Sequence, residues 1–278
     1  MTLSPVIKKD FLLQLAKQGK RADNRNMNQY REVKIETGVI DKAEGSAKVM
    51  IGNTQVVAGI KMDLGTPYPD TPNQGVMSTA AELIPLASPD FEAGPPRENA
   101  IELARVVDRG IRESEVIKFD ELCIVPGEKI WLAFIDIHVI DYDGNLFDAS
   151  SLAALAALLT AHVPIDQFKE NLEADAETCP EIKTYLEQHQ TNYPLPMRTP
   201  PISCTFVKFG DVIVVDPSLD EEDIADARLT VATDEKGDIR AMQKGLNGSF
   251  TPDEIKNVIK EAAINGNDLR KKLDESIQ

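Results

Sequence analysis

The stretch Asp141-Tyr142-Asp143-Gly144-Asn145-Leu146-Phe147-Asp148-Ala149-Ser150-Ser151-Leu152 constrains this chain more than any other. It joins a long, nearly all-apolar run at residues 129–142 to a second apolar run at 151–162. The first is read as a strand central in its sheet, the second as a helix buried on all sides. Between them the pattern predicts a strand end, a tight turn, a short second strand and a helix start. A helix N-terminus carries unpaired N–H groups and the positive end of the helix dipole, so it is a natural anion site. Here the nearest charge is the chain's own Asp148, preceded by apolar Leu146 and Phe147, and no basic residue lies between 141 and 161. The stretch reads as a phosphate site from which the phosphate chemistry has been removed.

The rest of the chain divides around this unit. Residues 3–18 predict an amphipathic helix with Phe11, Leu12 and Leu15 on its apolar face and Gly19 as its cap. Residues 32–37, 47–51 and 55–62 predict strands, the last two joined at Gly52-Asn53. Residues 66–96 hold seven of the 17 prolines and read as a long loop, 98–114 as a helix and 121–125 as a strand. Residues 166–201 read as a polar, acidic connector, with a helix expected at 180–190. Hairpins are then expected at 202–216 and 228–244. Thr251-Pro252-Asp253-Glu254 is a capping box with proline at the first helical position, opening a helix to about residue 264. Hairpins followed by a helix in each half, with Tyr142-Asp143-Gly144 paralleling Glu235-Lys236-Gly237, form a weak internal repeat.

Composition excludes several classes. No apolar run reaches the roughly 18 residues of a membrane helix, and residues 1–10 are not followed by a signal-peptide core, so a cytoplasmic protein is expected. Cys123, Cys179 and Cys204 are isolated, as are the three histidines, and neither set has metal-ligand spacing. No metal or cofactor is expected, and no glycine-rich phosphate loop is present. Asp220, Glu221, Glu222 and Asp223 are read as a solvated acidic loop.

A net charge of −16 argues against nucleic-acid binding by the surface as a whole. It does not exclude a local basic stripe. Arg105, Arg109 and Arg112 fall at i, i+4 and i+7 and share one helix face, opposite Ala100, Ala104, Val107 and Ile111. That face suits either a solvated surface, with Glu102–Arg105 and Asp108–Arg112 pairs, or a stripe whose guanidinium forks track phosphates.

A series of short motifs runs along the chain: Lys20-Arg21-Ala22-Asp23-Asn24-Arg25, Ala43-Glu44-Gly45-Ser46-Ala47, Gly52-Asn53-Thr54-Gln55-Val56, the arginine helix, Asp216-Pro217 and Gly248-Ser249-Phe250-Thr251-Pro252-Asp253-Glu254. Their order and spacing resemble the RNase PH family, most closely the non-catalytic RNase PH-like subunit of the archaeal exosome. The resemblance implies an α+β, duplicated RNase PH-like fold, with mixed β-sheets and helices packed between them. It implies an N-terminal helical extension at 1–28, a first half at 29–165, the connector at 166–201 and a second half at 202–278. The implied partner is a catalytic RNase PH-like subunit, in a six-membered ring of three heterodimers with RNA-binding cap subunits. The implied ligand is single-stranded RNA, held in the channel by Arg105, Arg109 and, less directly, Arg112.

Active relatives bind inorganic phosphate with a Thr-Arg or Ser-Arg pair where this chain has Leu146-Phe147, and some carry an arginine where it has Asn99. Their acid aligns with Ala227; a shift of one residue would place Asp226 there instead. The resemblance therefore implies a subunit without catalytic residues that supports 3′-to-5′ RNA degradation. The alternative is a phosphorolytic exoribonuclease acting alone.

Overall fold

The computed structural model describes residues 5–277. Its first sheet contains β1 (Val33–Thr37), β2 (Gly45–Ile51), β3 (Thr54–Gly65), β4 (Val76–Leu83), β5 (Cys123–Val125) and β6 (Lys129–Asp141). The order is β1-β2-β3-β6-β4, with β5 also paired to β6. β6 runs antiparallel to β3 and parallel to β4, so the apolar run is central and the sheet is mixed. A two-stranded ribbon follows, β7 (His162–Val163) with β8 (Tyr193–Pro194). The second sheet is antiparallel, in the order β10-β9-β11-β12, formed by β9 (Ile202–Phe209), β10 (Val212–Val215), β11 (Ala227–Thr233) and β12 (Ile239–Gly245).

Three helices lie between the sheets: α2 (Glu98–Arg112), α3 (Leu146–Leu159) and α7 (Pro252–Ser276), numbered in chain order with α1 (Pro5–Lys17), α4 (Ile165–Ala176), α5 (Pro180–Gln188) and α6 (Leu219–Asp223). α3 is buried along almost its whole length and packs against β2 and β3 on one side and β9 on the other. Its Ala-rich face lets the backbones approach closely. A Cβ on Gly45 would stand 2.3 Å from the Ala157 carbonyl oxygen, which explains the glycine of the Ala43–Ala47 motif. One continuous apolar core runs through both sheets, from Ile60 and Ile135 through Leu155 to Phe206 and Leu269.

Several expectations change. The predicted helix at 3–18 is α1; residues 3 and 4 lie outside the described residues. Its buried face is Leu12 and Ala16 against Val207, Phe209 and Val214, while Phe11 is exposed. The expected loop at 66–96 contains β4, an edge strand flanked by proline-rich segments. The 121–125 strand begins only at Cys123, after a 3-10 turn at Phe119–Leu122. The acidic connector is a packed helical pair, with Leu172, Ile182 and Tyr185 buried. The Tyr185 hydroxyl accepts the Trp131 indole N–H at 2.8 Å and so ties α5 to β6. α7 runs twelve residues beyond Ile264, through Gly266, whose lack of a Cβ lets the helix pass the Thr233 hydroxyl. The suggested repeat of turns is not local: Gly144 leads directly into α3, whereas Gly237 joins β11 to β12.

Candidate functional site

The short strand expected before α3 does not exist. Asn145, in the left-handed conformation at φ 59°, caps the helix, so Leu146 and Phe147 form its first turn. Asn and Asp tolerate this conformation better than other side chains. Gly144 (φ +88°) precedes it, and a Cβ there would meet the Pro217 carbonyl oxygen at 2.5 Å. The helix start is therefore pressed against the segment that enters α6.

Asp148 does not face an anion site. It is fully buried and turned inward, where it accepts the Tyr30 hydroxyl at 2.7 Å, the Asn145 amide at 2.8 Å, and the Thr205 N–H and hydroxyl at 2.9 and 2.8 Å. Burial pushes its carboxyl up to about 6 despite these four donors. Asp216, also buried and at φ 47°, accepts Asn145 Nδ2 at 2.7 Å and both Arg31 Nη2 and Arg25 Nη1 at 2.8 and 2.7 Å. Burial opposes its charge, but Arg31 beside it holds the carboxyl below the ordinary value. The motif residue Arg21 completes the hub, donating to both Glu221 oxygens, at 2.8 and 2.5 Å, and to the Val215 carbonyl at 2.8 Å.

This revises the reading of residues 220–223 as a solvated loop: Asp220 and Asp223 are exposed, but Glu221 and Glu222 are not. They belong to α6, started by a Ser218–Glu221 capping box. Glu221 is buried against Arg21, and Glu222 accepts the Tyr142 hydroxyl at 2.7 Å and the Asn145 N–H at 2.9 Å. Among the described residues no cluster of His, Cys, Asp and Glu has the arrangement of a metal site. Burial raises the Cys204 thiol well above its ordinary value, consistent with an inert core residue.

Leu146 and Phe147 line a cavity of about 210 Å³ between α2, α3 and the second sheet. Phe91 and Tyr142 stack at its wall with centroids 5.3 Å apart. Among the described residues that line it, Arg228 is the single cation, against Glu102, Glu222 and Asp223. Arg228 is already engaged: its guanidinium lies 4.0 Å over the Phe147 ring and pairs with Glu102. Asn99 sits at the rim. Ala227 is buried, while Asp226 turns to solvent, accepting the Gly210 N–H at 2.8 Å and Lys9 Nζ at 3.0 Å. Period-two alternation around Leu229 places Arg228 on the opposite face, and that is the signal by which the sequence could have shown it.

The three candidate arginines follow α2 away from the cavity. Its buried stripe is Ala100, Leu103, Ala104, Val107, Gly110 and Ile111. Arg112 is neutralised by Asp108 (2.8 and 2.9 Å) and donates to the Met77 carbonyl at 3.0 Å. Arg109 donates to Gln243 Oε1 on β12 at 2.8 Å. Arg105 is exposed, and among the described residues it has no ion pair; the expected Glu102–Arg105 pair is replaced by Glu102–Arg228. The stripe thus splits, Arg109 leaning to the second sheet and Arg112 to the first.

A mixed sheet and an antiparallel sheet enclosing three helices, with a cavity where the helix of the first half begins, define a protein of the RNase PH class. The family models for the 3′ exoribonuclease family match residues 29–164 (domain 1) and 199–265 (domain 2), and the chain belongs to this family. It is similar to the exosome complex component Rrp42 of Thermococcus gammatolerans, at 51% identity over 98% of this chain and 95% of that protein. It is likewise similar to Rrp42 of Methanocella arvoryzae, at 50% identity over 96% of each. Among solved structures it is similar to a chain of the Archaeoglobus fulgidus exosome with RNA bound to the active site. The TM-score there is 0.87, at 44% identity over 96% of this chain and 98% of that one. A chain of an archaeal exosome core matches with TM-score 0.83 at 40% identity, covering 97% of each.

Proposed function

We propose that this chain is a non-catalytic subunit of an exosome ring of the archaeal type. In this reading it pairs with a catalytic RNase PH-like subunit, three heterodimers close the ring, and RNA-binding cap subunits attach to it. The working compartment is the cytoplasm. Residues 29–165 and 202–278 act as its two halves, with the α4–α5 pair between them. The chain structures its partner and contributes Arg105 and Arg109, with a lesser share from Arg112, to single-stranded RNA in the channel.

The carrying observation is the cavity at Leu146-Phe147. Phosphorolysis transfers a terminal nucleotide to inorganic phosphate, so it needs free cations at the phosphate and an acid near the scissile bond. The cavity offers three acids and one arginine that is already paired and stacked. An anion entering there would meet net negative charge in a partly desolvated space. The nearby Asp226 carboxylate is committed to Gly210 and Lys9.

The RNA-binding half of the proposal is tested by Arg105→Glu with Arg109→Glu in the assembled ring. Affinity for unrelated single-stranded sequences should fall alike, because phosphate contacts position a strand without reading bases. The logarithmic salt dependence should become shallower by about 0.7 for each phosphate no longer gripped. An unchanged affinity and slope would mean that α2 presents only a solvated face.

A further inference from the structure

The three arginines of α2 differ in what holds them, and the difference points to β12. Arg112 is bound by a carboxylate, so most of its charge is spent within the chain. Arg109 is bound by a neutral amide: Gln243 Oε1 accepts from Arg109 Nη1 at 2.8 Å. The other end of that amide is also fixed, since Gln243 Nε2 donates to the Lys244 carbonyl at 3.3 Å. The contact spans 134 positions of sequence and joins the helix between the sheets to the outer strand of the second sheet. A guanidinium has five donors, so one given to Gln243 leaves the rest of the fork for a phosphate.

We infer that Gln243 is a positioning residue for RNA: it fixes the direction of Arg109 while leaving its positive charge intact. The inference rests on the proposed role of α2 in the channel. An exposed arginine is rich in rotamers, and part of that freedom must be lost when it grips a phosphate. Gln243 removes part of that freedom in advance. A glutamate at the same position would hold the fork equally well and cancel the charge, so the neutral amide is the choice that preserves both geometry and charge.

The experiment uses the assembled ring and an unstructured single-stranded RNA, with binding measured at several salt concentrations. Gln243→Met keeps the side chain's length and removes the acceptor. Its affinity should fall about threefold, with an unchanged salt slope because Arg109 remains charged. Gln243→Glu should lower affinity on the order of tenfold and make the slope shallower by about 0.7, the share of one phosphate. In an Arg109→Ala background, Gln243→Met should have no further effect, which a general loosening of β12 would not reproduce. If Arg109→Glu weakens binding while both Gln243 variants bind as wild type, the inference falls and the channel reading stands. If Arg109→Glu itself binds as wild type, the channel reading falls and takes the inference with it.

Discussion

Arg228 lies with its guanidinium 4.0 Å above the centroid of the Phe147 ring, and Glu102 from α2 takes its charge. The two side chains come from opposite halves of the molecule and meet in the cavity lined by Leu146 and Phe147. The aromatic ring thus does more than leave out a cation. It provides a face on which the remaining cation is stacked, in a direction set by Glu102.

Replacing Phe147 by Leu should leave RNA degradation by the assembled ring unchanged while costing the isolated chain about 1–2 kcal/mol through poorer packing and removal of the cation–π interaction. For a chain of this size that is a fall in melting temperature of roughly 2–6 °C. Thermal melts and a degradation assay on the same preparations check it; a large loss of degradation with an intact fold would show that the cavity is used.

The two buried carboxylates of the hub should respond to pH in opposite directions. Burial raises Asp148 to about 6, so the folded chain takes up its proton before the unfolded chain does. Its contribution to stability therefore grows as the pH falls through about 6 towards the ordinary carboxylate value. Asp216 is held below that value by Arg31 in spite of burial, so its contribution is complete at neutral pH and is lost only as the pH falls through the lowered value. Asp216→Asn should accordingly cost about 3–5 kcal/mol at pH 7, where it strands Arg31 and Arg25. The stability gap between wild type and Asp148→Asn should widen from pH 7 to pH 5. Denaturant melts of the three proteins across pH 4–8 would show these trends; parallel curves would contradict them.

Co-expression with a catalytic RNase PH-like partner should give a stable heterohexamer. Sedimentation across micromolar concentrations should show the ring as the main species. Separate monomers of both chains over that range would count against the proposed assembly.

Legibility in the sequence followed the periodicity. The central β6, the α2 stripe, the second-sheet hairpins and the Thr251 cap were readable because each rests on local pattern or turn chemistry. β4 was hidden because Val76–Leu83 is short, mixed in polarity and bounded by prolines, so nothing local marked it as an edge strand. The start of α3 was misplaced because Leu146-Phe147 resembles a strand end, and only the left-handed Asn145 cap reveals a helix turn. Glu221 and Glu222 looked solvated because the arginine and tyrosine that engage them, Arg21 and Tyr142, lie far away in the chain. At the candidate site the apolar Leu146-Phe147 pair and the lack of nearby basic residues were visible, whereas the inward turn of Asp148 and the capture of Arg228 depend on tertiary structure. The same is true of Gln243, which carries no signal until β12 is seen beside α2.

Phosphate-dependent shortening of single-stranded RNA, measured on the purified chain and again after adding its catalytic partner, tests the central claim most directly. The chain alone should give no shortening, and 3′-to-5′ degradation with release of nucleoside diphosphates should appear once the ring has formed. Shortening by the pure chain that requires phosphate and disappears in Asp226→Asn would contradict the claim.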